Sequence, residues 1–146
     1  MQKNMMVNQR QFFRLVLDPP LCADMTIVRV NGKTLETGSA RVLIVDLGAG
    51  GLRFQSTLHL PVTPHVVLEL VTEVLGQPLK MIGCIVRNQA LEGPLMEYGM
   101  QFTMDEERIA DFSRLTNMLA IRLRQKGVLP SGRFLEGEKL AYLGHS

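Results

Sequence analysis

A chain of 146 residues fits one domain and can bury about two thirds of its unfolded surface, so neither a disulfide nor a metal is needed to hold a core. With no Trp, 5% aromatics and nine Met among 46% hydrophobic residues, that core is aliphatic. A formal charge of +2 excludes the dense basic stripe of a protein that binds nucleic-acid polymers, and no run of ~20 apolar residues is present to cross a membrane as a helix.

Met1–Arg14 mixes Lys3, Asn4, Asn8 and Arg10 with short apolar runs and has no signal-peptide core or cleavage site. Cys22 and Cys84 lie far apart with no CxxC spacing, which predicts reduced thiols. A cytoplasmic protein is expected, with residues 1–9 a flexible arm, 10–126 the folded domain and 127–146 a tail.

Phe12–Val16 is predicted to begin a strand that breaks at Asp18-Pro19-Pro20, because proline lacks a ladder donor and restricts its predecessor. Met25–Val30 is β-branched and ends at Asn31-Gly32, a strong hairpin signal. Gly38–Asp46 reads as the next strand, followed by a loop over Gly48-Ala49-Gly50-Gly51 and a return to extended chain at Leu52–Phe54. Val66–Thr72 alternates two faces. Leu79–Arg87 leaves the turn Gly76-Gln77-Pro78, and Tyr98–Phe102 follows. Short strands divided by turn residues, without strand–helix alternation, predict a mainly β sandwich or barrel.

One segment has helical period. Ile109, Phe112, Leu115, Leu119 and Leu123 fall near one face, Thr103-Met104-Asp105-Glu106 fits a capping box with Thr103 as cap, and Gly127 suits the stop. Phe134, Leu135, Leu140, Tyr142 and Leu143 can pack the tail back onto the barrel.

Catalytic patterns are lacking. His59, His65 and His145 have no metal-ligand spacing, and no GxSxG, P-loop or strand–GxGxxG–helix occurs. No nucleophile has a base beside it, so neither a catalytic residue nor a metal ligand is nominated, and no cofactor is expected.

Two features remain. Arg10 and Arg14 stand four residues apart at the start of the first strand, and a guanidinium grips phosphate bidentately and stacks on bases. Asp46 precedes Gly48, Gly50 and Gly51, and a carboxylate can accept from the N1–H and amino group of a guanine while glycines let the backbone come close. Each alone has a plain alternative: a solvated basic terminus, and an Asp that hydrogen-bonds its own turn.

The two together resemble the PilZ domain, the cyclic di-GMP receptor module of bacteria. Arg10 and Arg14 match its RxxxR, and Asp46 and Gly51 match the ends of its [D/N]xSxxG, with Gly48 where Ser is usual. Gly51–Phe54, Gly83–Arg87 and Tyr98–Phe102 resemble later strands of the family, so the likeness spans about Gln9 to Lys126. It implies a six-stranded antiparallel β-barrel with a C-terminal α-helix, and a non-enzymatic protein that binds cyclic di-GMP. Arg10, Arg14, Asp46, Gly48, Gly50 and Gly51 are the expected ligand residues. Arg87 is a secondary candidate and Arg53 a weaker one. Loss of the hydroxyl at Gly48 removes one hydrogen bond, roughly twofold to tenfold in affinity, which weakens binding rather than abolishing it. Ligand is expected to order the Arg10–Arg14 segment and so signal to a protein partner. The alternative is a PilZ-like adaptor that binds a protein and no nucleotide. Monomer and homodimer both remain open, the latter through Met118 and Ile121.

Overall fold

The computed structural model describes residues 14–35, 38–125 and 129–144. Arg10, the start of the predicted first strand at Phe12 and the predicted helix stop at Gly127 lie outside these residues. The elements are β1 (Arg14–Val30), β2 (Lys33–Thr34), β3 (Ala40–Gly48), β4 (Gly51–Ser56), β5 (Val66–Val74), β6 (Gln77–Ala90), β7 (Met96–Phe102), α1 (Glu106–Leu123) and α2 (Lys139–Tyr142).

The sheet runs β2-β1-β3-β4-β7-β6-β5, and β1 also pairs with β5. All pairings are antiparallel. The strands other than the two-residue β2 therefore close into the expected six-stranded barrel. Closure depends on the 17-residue length of β1. Its first half pairs with β3, from Arg14↔Gly48 to Met25↔Ala40, and its second half pairs with β5, from Asp24↔Val71 to Val30↔Val66. A closed ring leaves few unpaired edges.

The predicted break at Asp18-Pro19-Pro20 is a bulge within β1. The β1–β3 register jumps from Val16↔Asp46 to Leu21↔Ile44, so residues 17–20 stand opposite Val45 alone. Both prolines fall where the β3 ladder needs no N–H, which is where strands tolerate them. The Asn31-Gly32 turn forms with φ of 51° and 79°, as a two-residue hairpin of the right twist requires. At the β5–β6 hairpin the turn is one position earlier than predicted. Leu75 and Gly76 take the positive φ, and Gln77 and Pro78 already pair with Val74 and Glu73.

The barrel interior is aliphatic. Leu21, Val42, Ile44, Leu47, Leu70 and Met81 are fully buried around Phe54, and Phe112, Leu115 and Leu119 of α1 join the same core. Phe102 and Phe112 meet edge-to-face at 4.9 Å. The helix starts later than the sequence predicts: its cap is Asp105, whose side chain accepts from the Arg108 amide at 2.8 Å. The predicted capping box does not form, because the Thr103 amide that Glu106 would bond extends the sheet by donating to the Ile82 carbonyl. Among the described residues no helix is long and apolar enough to cross a membrane.

The tail packs on the barrel. Gly132 bridges Val74 and Phe134 bridges Leu21. The Cys22 amide donates to the Arg133 carbonyl, and the Leu135 amide donates to the carbonyl of Pro20 in the β1 bulge. Cys22, Leu43 and Leu143 form a second buried cluster on the outer face, flanked by Leu135 and Tyr142. Leu140 remains exposed.

Candidate ligand-binding site

Successive strands align their residues into cross-strand rows, and members of a row share one face of the sheet. Val16, Asp46, Arg53, Gly99 and Arg87 form one such row across β1, β3, β4, β7 and β6. Three register shifts sit beside it: the β1 bulge, an extra Val45 between Ile44↔Phe54 and Asp46↔Arg53, and an extra Val86 between Ile85↔Met100 and Arg87↔Gly99. Ile44 and Ile85 point into the core. Strict alternation from them would aim Asp46 and Arg87 inward as well. The inserted residues turn both to the outer face, the re-aiming that bulges provide near functional sites.

Asp46 is the anchor of this row. It is 2% exposed, and its Oδ2 accepts from Arg53 Nη2 at 2.8 Å and faces Arg14 Nε at 3.4 Å. The Arg53 contact is a charge-assisted hydrogen bond, and it pushes the guanidinium pKa further up, so Arg53 stays a cation. Arg53 Nη1 also faces Glu97 Oε2 at 3.7 Å. Its Nε is a buried donor without a hydrogen-bond partner among the described residues. Arg14 is held more loosely, with 53% of its side chain exposed.

Arg87 lies on the far side of Gly99. A Cβ built on Gly99 would stand 3.3 Å from Arg87 Nε and 3.5 Å from its Nη2. The missing side chain lets this guanidinium lie close against β7. Arg14, Arg53 and Arg87 thus rim one open cleft of about 510 Å³, with Asp46 and Gly48–Gly51 also in its wall. A smaller hollow beside it, about 230 Å³, is lined by the same three arginines together with Glu97.

The structure brings together Arg14, Asp46, Gly48, Gly50, Gly51 and Arg87, as expected from the sequence, while Arg10 lies outside the described residues. The glycines differ in what they do. The predicted loop is a tight hairpin in which only Ala49 and Gly50 lie outside strands, and Gly48 pairs with Arg14. A Cβ on Gly51 would collide with the Met100 carbonyl, whereas one on Gly50 meets nothing within 4 Å. Gly51 is therefore demanded by the approach of β7, and Gly50 is open to the cleft.

Sequence reasoning underrated Arg53 and missed Gln55, Glu97 and Gly99. Arg53 was within reach. With a two-residue turn at Ala49-Gly50, counting back along both strands sets Leu47 opposite Leu52 and Asp46 opposite Arg53. Glu97 and Gly99 depend on β4 pairing with β7, which no local pattern announces.

A cation-lined cleft with one buried carboxylate suits an anionic ligand that also carries hydrogen-bond donors. Among the described residues no three His, Cys, Asp or Glu side chains gather to hold a metal ion. Another groove, about 410 Å³ between β6 and α1, is lined in part by Lys80, Arg108 and Arg114. Two of those cations are already paired, Lys80 with Glu69 and Arg114 with Asp111, and no buried carboxylate faces it. The profile of one protein family, described as PilZ domain, matches residues 8–120. A search of curated proteins found no match.

Proposed function

As the chain belongs to the PilZ domain family, we propose that it is a receptor for cyclic di-GMP that signals to a protein partner without altering the nucleotide. The observation that carries this reading is the single outer row on which Asp46, Arg53 and Arg87 stand, with Arg14 closing one end. Three guanidiniums match the two phosphates and stacked bases of such a ligand. The buried carboxylate matches a guanine Watson–Crick edge.

The geometry supports a sequence of events. Of the two arginines on Asp46, Arg14 is held more loosely, more than half exposed and 3.4 Å away. On binding it leaves Asp46 for a phosphate or a base, together with Arg10 on the preceding segment. Asp46 then accepts from the guanine N1–H and amino group, still neutralised by Arg53. Gly50, with space around it, lets the ligand approach the hairpin. Arg87 takes the opposite flank. The displaced segment ahead of β1 becomes the output, an order–disorder or repositioning switch that a partner in a bacterial motility, exopolysaccharide or related pathway reads.

Calorimetric titration with cyclic di-GMP tests this, with cyclic di-AMP and GTP as controls and with Arg14→Ala and Asp46→Ala. Saturable micromolar or tighter binding, absent for the controls and lost in both variants, is expected. No heat and no thermal shift at high ligand would end the receptor reading in favour of a protein-binding adaptor.

A further inference from the structure

The row next to the cleft row is Cys22, Leu43, Gln55, Glu97 and Gln89, across the same strands and on the same outer face. The tail covers its β1–β3–β4 end, and one polar chain leads from the tail to the cleft. Lys139 Nζ of α2 donates to Gln55 Oε1 at 2.9 Å, and Gln55 Nε2 donates to Glu97 Oε1 at 3.1 Å. The other oxygen of Glu97 faces Arg53 at 3.7 Å, and Arg53 donates to Asp46 at 2.8 Å.

The direction of this chain follows from its first member. An ammonium only donates, so the oxygen of the Gln55 amide must turn to Lys139. Gln55 is 6% exposed, and its amide has little access to water as a substitute partner. Its NH₂ is therefore left for Glu97, which it holds by one oxygen. Without Lys139 the buried Oε1 loses its donor, and the Glu97 carboxylate alone orients the amide. At 6% exposure that oxygen can regain a donor only if Gln55 shifts, and a shifted Gln55 lengthens or gives up its one hydrogen bond to Glu97. Glu97 shares the smaller hollow with Arg14, Arg53 and Arg87. It is the rival of any phosphate for Arg53, and its 3.7 Å separation is a gap that an untethered carboxylate would close.

We propose that Lys139 is a positioning residue of this anion site: through Gln55 it tethers Glu97 and keeps Arg53 available to a phosphate oxygen. The identity of the ligand rests on the receptor reading, but the tether does not. By linkage, anything that lifts α2 from the barrel weakens phosphate binding, and bound ligand holds α2 down by the same factor. The tail is then a second port through which a partner and the nucleotide sense each other.

Two measurements on the full chain decide it. The first uses no nucleotide. The Arg53 Nε–Hε resonance, assigned by its loss in Arg53→Lys, is recorded in Lys139→Met with Glu97 or with Glu97→Gln. A clear shift with Glu97, absent with Glu97→Gln and reversed by Lys139→Arg, is expected. Gln55→Met cuts the chain one link further on and should reproduce the shift. No shift, or the same shift in both backgrounds, overturns the proposal. The second measurement is cyclic di-GMP calorimetry on the same set. Lys139→Met should weaken binding by roughly threefold to tenfold, the scale of one contact to a part-exposed charge, and Glu97→Gln should remove that loss. Equal weakening in both backgrounds would mean general damage and also overturns it. If the wild type takes no nucleotide while the resonance behaves as expected, the receptor reading falls and the tether stands.

Discussion

Replacing Asp46 by Asn keeps the shape of the side chain and removes the charge that two arginines share. In the wild type Arg53 meets Asp46 at 2.8 Å and Arg14 at 3.4 Å, around a carboxylate that is 2% exposed. Cutting one partner from a fully buried pair costs about 3–5 kcal/mol. Here the arginine side chains are 39% and 53% exposed, so they recover much of their hydration, and the loss falls to about 1–2 kcal/mol. For a chain of 146 residues that corresponds to roughly 3–8 °C in melting temperature. Urea denaturation without ligand gives the change in stability at an unaltered m-value. Arg53→Met in the Asp46→Asn background should recover part of the loss, because the cation left without a partner is then gone as well. A change below about 0.5 kcal/mol in Asp46→Asn, or a double variant weaker than the sum of both singles, would refute the view of Asp46 as the anchor of the arginine row.

The hairpin glycines should separate cleanly. Gly51→Ala forces a Cβ against the Met100 carbonyl and is expected to destabilise by about 2–3 kcal/mol, whereas Gly50→Ala, with nothing within 4 Å, should denature like wild type. Gly99→Val should displace Arg87, whose Nε would lie 3.3 Å from the new Cβ, and cut cyclic di-GMP affinity by roughly tenfold in calorimetry while leaving the urea midpoint nearly unchanged. Burial first, and the neighbouring Cys22 second, push the Tyr142 hydroxyl up to about 12. A raised folded-state value means that its stabilisation is complete below pH 10 and is lost as pH climbs from 10 towards 12, so alkaline melting curves of Tyr142→Phe should fall less steeply than those of wild type. The difference in tyrosinate absorbance between the two proteins should show a midpoint near 12.

The strands were legible wherever a local signal was complete. Asn31-Gly32 fixed one hairpin outright, and alternation placed Val66–Thr72 within the observed β5. The misreadings share a physical cause: a residue whose local preference was outvoted by a distant partner. Asp18-Pro19-Pro20 looks like a stop, yet the chain continues because Leu21 finds Ile44 on β3 and the Pro20 carbonyl finds the Leu135 amide. Thr103 and Asp105 are both good caps; Asp105 takes the Arg108 amide, and β6 claims the Thr103 amide that the predicted capping box needed. Leu75 accepts a positive φ that sequence alone would assign to glycine, since Ser131 of the tail receives its amide hydrogen bond.

For the site, the residue types were visible and their alignment was not. A period-two reading of Leu43–Leu47 sends Asp46 to the same face as Ile44, among Val42 and Phe54, where an unpaired carboxylate would be forbiddingly costly. That conflict is itself a signal. A carboxylate on the apolar phase of a strand demands either a buried cation or an extra residue, and the chain supplies the extra residue as Val45. Arg87 poses the same problem after Ile85, and Val86 solves it in the same way. Two charges on the wrong phase of two separate strands, each one residue past an insertion, end in one row on the outside of the barrel. The core keeps its apolar lining on one face of those strands, and the arginines gain a common face on the other. The unbroken apolar lining and the cleft are thus products of the same pair of insertions rather than a fold with a site added to it.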